Sequence, residues 1–322
     1  MNDIRWGMIG CGDVTEVKSG PGFQKARGSR LLAVMRRNGQ LAERYARRHD
    51  VPKWYDNAEA LINNPEVDAV YIATPPSSHK QYALAVAKAG KPVYVEKPMA
   101  MNYNECLEMI QACQQNHVPL FVAYYRRALP RFLKIKELLN NEAIGSVRSV
   151  AIVLHKKPGL NDFCSQTNWR VDPEIAGCGY FCDLACHTLD ILQFYLGSIK
   201  AAKGFLSNQM ALYKAEDLVT GSFKFESGIL GTGLWCFTAY DELDRTEIIG
   251  SKGKIVFSTF DTTPILLLTE EGEQKFHIDN PKHIQQPLIQ TVVDELLGIG
   301  KCPSTGATGS LTNLVMDQIL GK

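Results

Sequence analysis

Ile4-Arg5-Trp6-Gly7-Met8-Ile9 running straight into Gly10-Cys11-Gly12-Asp13-Val14-Thr15 is the stretch that decides the fold. A short apolar strand that ends in two closely spaced glycines lets the turn tighten and the backbone approach a pyrophosphate at the start of a helix. Two glycines alone occur in many loops, and Thr15 stands where the usual fingerprint has its third glycine. The weight comes from context: the loop follows a strand at the very start of the chain and opens an alternation of apolar runs with amphipathic stretches. The stretch therefore predicts a dinucleotide held at Gly10, Cys11, Gly12, Asp13 and Val14.

Working outward, apolar runs at Ile4–Ile9, Leu31–Met35, Ala69–Ala73, Val93–Val95 and Leu120–Val122 predict five strands, with helical spacing in Gln40–His49, Ser78–Ala89 and Asn102–Asn116 between them. Strands that alternate with helices build a doubly wound parallel sheet, so residues 1–123 are expected to form a Rossmann dinucleotide-binding domain. After about residue 145 the period changes to two, in Val147–Leu154, Ala202–Leu206, Val219–Phe225, Ile229–Phe237 and Thr246–Ile249, with turn signals such as Glu226-Ser227-Gly228 between them. Residues 124–322 are expected to form an α+β domain with a large, open, mostly antiparallel sheet. It carries helices at Phe181–Tyr195, Leu288–Leu297 and Leu311–Leu320.

Composition removes several classes of function. With 35 Lys+Arg against 34 Asp+Glu the net charge is +1, which supplies no broad positive field for nucleic acid or an anionic membrane, and points to a small-molecule partner. No apolar run approaches the roughly 20 residues that cross a bilayer, and the start lacks a signal peptide's charged flank and apolar core. A soluble, cytoplasmic protein is expected. The nine cysteines contain no CxxC pair and read as reduced thiols.

Several polar groups stand where doubly wound folds bind ligands, at the carboxyl ends of strands. The second strand ends in Arg36-Arg37, where an NAD-binding fold puts a carboxylate on the ribose hydroxyls; an arginine there suits a 2′-phosphate. NADP is the favoured cofactor on this ground, with NAD as the alternative. The third strand ends in Thr74-Pro75-Pro76 with His79 beyond, and the fourth in Glu96-Lys97-Pro98, where Lys97 is placed to face a cleft. On the helix near Tyr180, Asp183 and His187 are i,i+4 neighbours and Asp190 follows at i+3, so carboxylates flank an imidazole. Cys178, Cys182 and Cys186 repeat every four residues beside His187, a spacing that suits small buried side chains, and no metal is expected.

Together these motifs, with Gly177-Cys178-Gly179-Tyr180-Phe181-Cys182-Asp183-Leu184-Ala185-Cys186-His187 in the same order, resemble the GFO/IDH/MocA oxidoreductases, the glucose-fructose oxidoreductase and inositol dehydrogenase group. The resemblance spans essentially the whole chain. It implies Lys97, Asp183 and His187 as the catalytic set, a cis bond before Pro98, and cofactor contacts at Thr74, Pro75, Pro76, His79, Glu96 and Lys97. Separately, the open antiparallel sheet expected after residue 200, with too few helices to cover both faces, predicts a homo-oligomer, a dimer or tetramer. Tyr125 and Arg126 stand where many members have Asn before Arg, and with His155, Trp169, Arg170 and Tyr180 they are the candidate substrate residues. The activity implied interconverts a secondary alcohol and a carbonyl on a sugar-like or cyclic polyol substrate. Two alternatives stay open: a tightly held cofactor used for transient oxidation in elimination or C–O cleavage of a glycoside, and a non-catalytic dinucleotide-binding regulator.

Overall fold

The computed structural model describes residues 3–163 and 168–322. The chain divides into two compact units, one of residues 1–129 with 281–310 and the other of 130–280 with 311–322.

In the first unit six strands form one parallel sheet: β1 Ile4–Ile9, β2 Ser29–Met35, β3 Lys53–Tyr55, β4 Ala69–Ile72, β5 Val93–Val95 and β6 Leu120–Val122, in the order β3-β2-β1-β4-β5-β6. The sequence predicts five. The sixth, β3, is an edge strand of three residues, none of them fully buried, so it carries no apolar run to announce it. Every residue of β4, β5 and β6 is buried, as a parallel sheet covered on both faces requires. The helices Gly39–Arg48, His79–Lys88 and Tyr103–Gln115 fall within a residue of their expected bounds. Asn38 and Asn102 cap the first and third by accepting from Leu41 N and Glu105 N. Strand order reverses beside β1, between its neighbours β2 and β4, and the glycine loop sits at that switch point.

The return of residues 281–310 to this unit corrects the sequence expectation that 124–322 form one unbroken domain. The helix Gln286–Leu296 belongs here, and an isolated antiparallel bridge joins Phe121 to Thr305. Ser304 Oγ donates to Val122 O at 2.7 Å, so the segment covers the otherwise open edge of β6. Amphipathic periodicity marks such a helix without saying which sheet it packs on.

The second unit holds an eight-stranded sheet: β7 Val147–His155, β8 Ile199–Ser207, β9 Leu218–Phe225, β10 Leu230–Cys236, β11 Leu243–Gly250, β12 Gly253–Phe257, β13 Ile265–Thr269 and β14 Gly272–Phe276. Its order is β14-β13-β12-β11-β7-β10-β9-β8, antiparallel throughout except that β10 runs parallel to β7. One face is apolar and covered; Phe181 stacks edge-on against Trp235 at 5.0 Å and Phe132 against Phe257 at 6.3 Å. The other face exposes Phe205 (79%) and Leu230 (58%). No helix among the described residues is long and apolar enough to cross a membrane.

The cysteines need one correction. Cys178 and Cys182 form a disulfide, with Cα atoms 5.6 Å apart, where reduced thiols are expected from the sequence. An i,i+4 spacing brings the two Cα atoms within the range a disulfide spans, even without a CxxC pair. Among the described residues no cluster of three metal-binding side chains occurs.

Candidate functional site

In the first unit the candidate residues gather at the carboxyl ends of β1, β2, β4 and β5. Gly10 adopts φ +93° and donates to Met35 O at 2.9 Å; a Cβ there would stand 2.8 Å from the Ala73 carbonyl. The protein's own packing therefore demands that glycine. Gly12 is different: a Cβ there would meet nothing within 4 Å, so the bare backbone faces open space rather than protein. That is the shape of a cradle for a phosphate group, and a dinucleotide fits the residues present. Thr15, in place of the third glycine, closes the loop by donating from Oγ1 and N to Gly12 O at 2.7 and 3.0 Å. A π-helical turn, Thr15–Ser19, follows. Asp13 is exposed and Val14 half-buried on the loop, whereas the Cys11 side chain is buried and its thiol is pushed up to about 11 by that burial. Cys11 thus offers a ligand only its backbone. Its carbonyl accepts from Arg36 Nη1 at 3.3 Å, so Arg36 lies along the loop, while Arg37 points to solvent.

Thr74 and Pro75 are half-buried and Pro76 is buried, with Ser78 Oγ donating to Thr74 Oγ1 at 2.8 Å. His79 is fully buried behind them. Its Nε2 lies 2.8 Å from Thr74 O and its Nδ1 3.1 Å from Pro98 O, so the ring ties the loop after β4 to the bend after β5. Burial lowers its pKa below the ordinary value, against the pull of the Thr74 carbonyl and the Glu96 charge. Lys97 stands at the carboxyl end of β5, half-buried, and the Lys97–Pro98 bond is cis. Glu96 is buried, and its carboxylate is engaged by protein donors rather than open to a ligand. Tyr125 and Arg126 are both buried, the Arg126 guanidinium 4.9 Å over the Tyr125 ring.

In the second unit a second group assembles. Gly177 (φ +87°) and Gly179 lead into a π-helical turn, Phe181–Ala185, continued by the helix Cys186–Leu196. A Cβ on Gly179 would stand 2.6 Å from that of Ala215, which is why the lead-in is glycine. Asp183 lies on the π turn and His187, 4% exposed, on the first turn of the helix, packed edge-on to Phe260 at 5.9 Å. Arg170 Nε stands 3.6 Å from Asp183 Oδ2, and the Arg170 guanidinium covers the Trp169 ring at 4.7 Å. Tyr180 donates to Asp162 Oδ1 at 2.5 Å and accepts from Asn168 Nδ2 at 2.8 Å; burial and the Asp162 bond push its pKa up to about 12. His155 sits apart from these, on β7, paired with Asp241 at 3.0 Å. Asp190 is buried and accepts from Thr312 Oγ1 at 3.4 Å.

Three residues here escape motif reasoning. Asp162 lies in the single turn Leu160–Phe163 and Asn168 caps the turn Trp169–Val171, both too short to show a periodicity, and Gln285 precedes an apolar helix far from Glu96 in sequence.

Comparison with known proteins agrees with this architecture. Residues 4–124 match the oxidoreductase family with NAD-binding Rossmann fold, and residues 132–256 match the GFO/IDH/MocA C-terminal domain. The chain is 41% identical over 320 residues to Oxidoreductase P35 of Formosa agariphila, covering 99% of this chain and 98% of that one. It is 26% identical over 313 residues to a 1,5-anhydro-D-fructose reductase of Ensifer adhaerens, covering 95% and 92%. Aldose-aldose oxidoreductase from Caulobacter crescentus, solved with glycerol, superposes with a TM-score of 0.89 over 99% of this chain and 97% of that one, at 22% identity, which speaks to the fold alone. With both halves of the fold matched and a relative of this identity along nearly its whole length, the chain belongs to the GFO/IDH/MocA family of oxidoreductases, and its first unit is the family's NAD-binding Rossmann domain.

Proposed function

We propose that the protein is an NADP-favouring oxidoreductase that interconverts a secondary alcohol and a carbonyl on a sugar-like or cyclic polyol substrate. The observation that carries this reading is Lys97 at the carboxyl end of β5, on the same sheet edge as the open Gly12 loop at the end of β1. When bound, a nicotinamide dinucleotide supplies or accepts the hydride. Gly10, Cys11, Gly12, Asp13 and Val14 would cradle its pyrophosphate through backbone N–H groups, and the loop Thr74-Pro75-Pro76 would border its far half. Arg36, already laid along the Cys11 carbonyl, would pair with a 2′-phosphate, and Arg37 would add to the local positive charge.

The protein's own part is proton movement and orientation. The Lys97 ammonium stabilises the alkoxide that develops on the substrate oxygen and donates the proton to it; in oxidation the neutral amine takes that proton back. His187 is the partner in the proton path and Asp183, held beside Arg170, orients the substrate hydroxyl. Trp169 would offer an apolar face to a sugar ring, and Tyr125, Arg126, His155, Arg170 and Tyr180 are the other residues at which substrate selectivity is proposed. The likeness to a 1,5-anhydro-D-fructose reductase supports a cyclic keto-sugar as the oxidised substrate. Pools of reduced pyridine nucleotide are intracellular, and the cytoplasm is the proposed compartment.

Calorimetric titration of the purified protein with NADPH and NADH tests the reading. Binding of both with NADPH the tighter is expected; binding of neither ends it.

A further inference from the structure

Three donors converge on the buried Glu96 carboxylate, which is 6% exposed. Tyr71 Oη donates to Oε1 at 2.5 Å, Gln285 Nε2 donates to Oε1 at 2.8 Å, and the backbone N–H of Lys97 donates to Oε2 at 3.1 Å. A buried carboxylate is strongly unfavourable without donors, so these partners decide its position. Because one of them is the N–H of Lys97 itself, whatever fixes the carboxylate also fixes the peptide from which the Lys97 side chain departs. Tyr71 comes from the adjacent strand β4. Gln285 comes from 189 residues further along the chain, is 1% exposed, and stands immediately before the helix Gln286–Leu296 of the return segment. Tyr94 and His79 are the other titratable groups that feel the Glu96 charge.

We propose that Gln285, acting through Glu96, is a positioning residue for Lys97: the return segment of the chain reaches back to hold the strand end that carries the proton-transferring lysine. This rests on the reading of Lys97 given above. The segment is then more than cover for the edge of β6. It couples the placement of the helix Gln286–Leu296 to the geometry of the reacting end of the sheet, where displacement of a group by an ångström costs on the order of 100-fold in rate.

A double-mutant cycle on the full-length enzyme tests this. Gln285→Met removes the amide donor at similar length and volume. Its turnover at saturating substrate and cofactor is expected to fall about 10- to 100-fold, with KM and the dissociation constant for NADPH unchanged. In a Lys97→Ala background the same substitution is expected to cost nothing more, because its effect runs through the lysine. Tyr71→Phe, which removes the second donor, is expected to follow the same pattern. Unchanged turnover in the single variants, or equal losses with and without Lys97, overturns the proposal. So does failure of both variants to fold, which makes the network a purely structural one. Full activity of Lys97→Ala alone overturns the reading of Lys97 and this inference with it, whereas an impaired Lys97→Ala beside additive losses overturns the inference alone.

Discussion

At the scale of single residues, the reading turns on two cations. An ordinary lysine near pKa 10.4 is a good proton donor and a poor base at neutral pH, so the role proposed for Lys97 is the easier one in the direction of reduction. Lys97→Ala is expected to keep its cofactor affinity and lose roughly 10²–10⁴-fold in turnover, while His187→Ala loses less, as measured by steady-state rates at saturating cofactor. A Lys97→Ala enzyme of near-normal turnover would pass the role to His187. For Arg36, one charge-assisted contact to a 2′-phosphate is worth about 1.5–3 kcal/mol, or roughly 10- to 150-fold in affinity. Arg36→Asp should reverse the preference for NADPH over NADH in paired titrations, and equal wild-type affinities would defeat the assignment. The places of Lys97 and Arg36 at the carboxyl ends of their strands were legible because β5 and β2 are apolar runs with clear ends. The inward engagement of Glu96 was not, since its donors Tyr71 and Gln285 come from other segments and leave no local spacing to read.

At the scale of elements, strands β1, β7, β9 and β10 and the helices Gly39–Arg48, His79–Lys88 and Tyr103–Gln115 were readable to within a residue because burial on one or both faces writes the period directly into the sequence, whereas β8 and β11 each begin three residues before their expected starts. Four strands were not read: β3 at the sheet edge and β14, which exposes four of its five residues, lack the burial that writes a period, and β12 and β13, partly buried, are five residues each and too short to establish one. The glycine lead-in at Gly179 was visible as glycine, but its cause, the close approach of Ala215, was not. His79 is an element-level clamp with a pH signature. Its folded pKa is depressed by burial, so below the unfolded value near 6.5 the unfolded chain takes up a proton that the folded one resists, and stability falls as pH drops from about 6.5. Glu16 and Asp68, also held below their ordinary values by Arg48 with His49 and by Arg5, lose their contributions only below about pH 4.5. The midpoint temperature of thermal unfolding should therefore fall as pH drops from about 6.5 to 5 in the wild type and fall less in His79→Gln. Parallel slopes would remove His79 as the cause.

At the scale of the whole molecule, the two fold classes followed from the change of hydrophobic period near residue 145, but the path of the chain did not. Periodicity marks the helix Gln286–Leu296 as amphipathic and is silent on which sheet its apolar face meets. On the eight-stranded sheet Phe205 and Leu230 lie exposed, with Lys203, Ser222 and Lys224 as neighbours on the same side. Exposed apolar side chains on a sheet face are a candidate surface for self-association, and light scattering at micromolar concentration is expected to return a dimer or tetramer; a monodisperse monomer would remove that interface and leave the fold untouched. The central claim, that hydride passes between a nicotinamide and the substrate carbon with net consumption of cofactor, is met most directly by isotope transfer. With NADPH carrying deuterium at both C4 positions and a cyclic keto-sugar, the alcohol formed should carry one deuterium for each cofactor oxidised. Product that forms without cofactor consumption, or without label, would contradict the account and favour transient oxidation by a cofactor that never leaves.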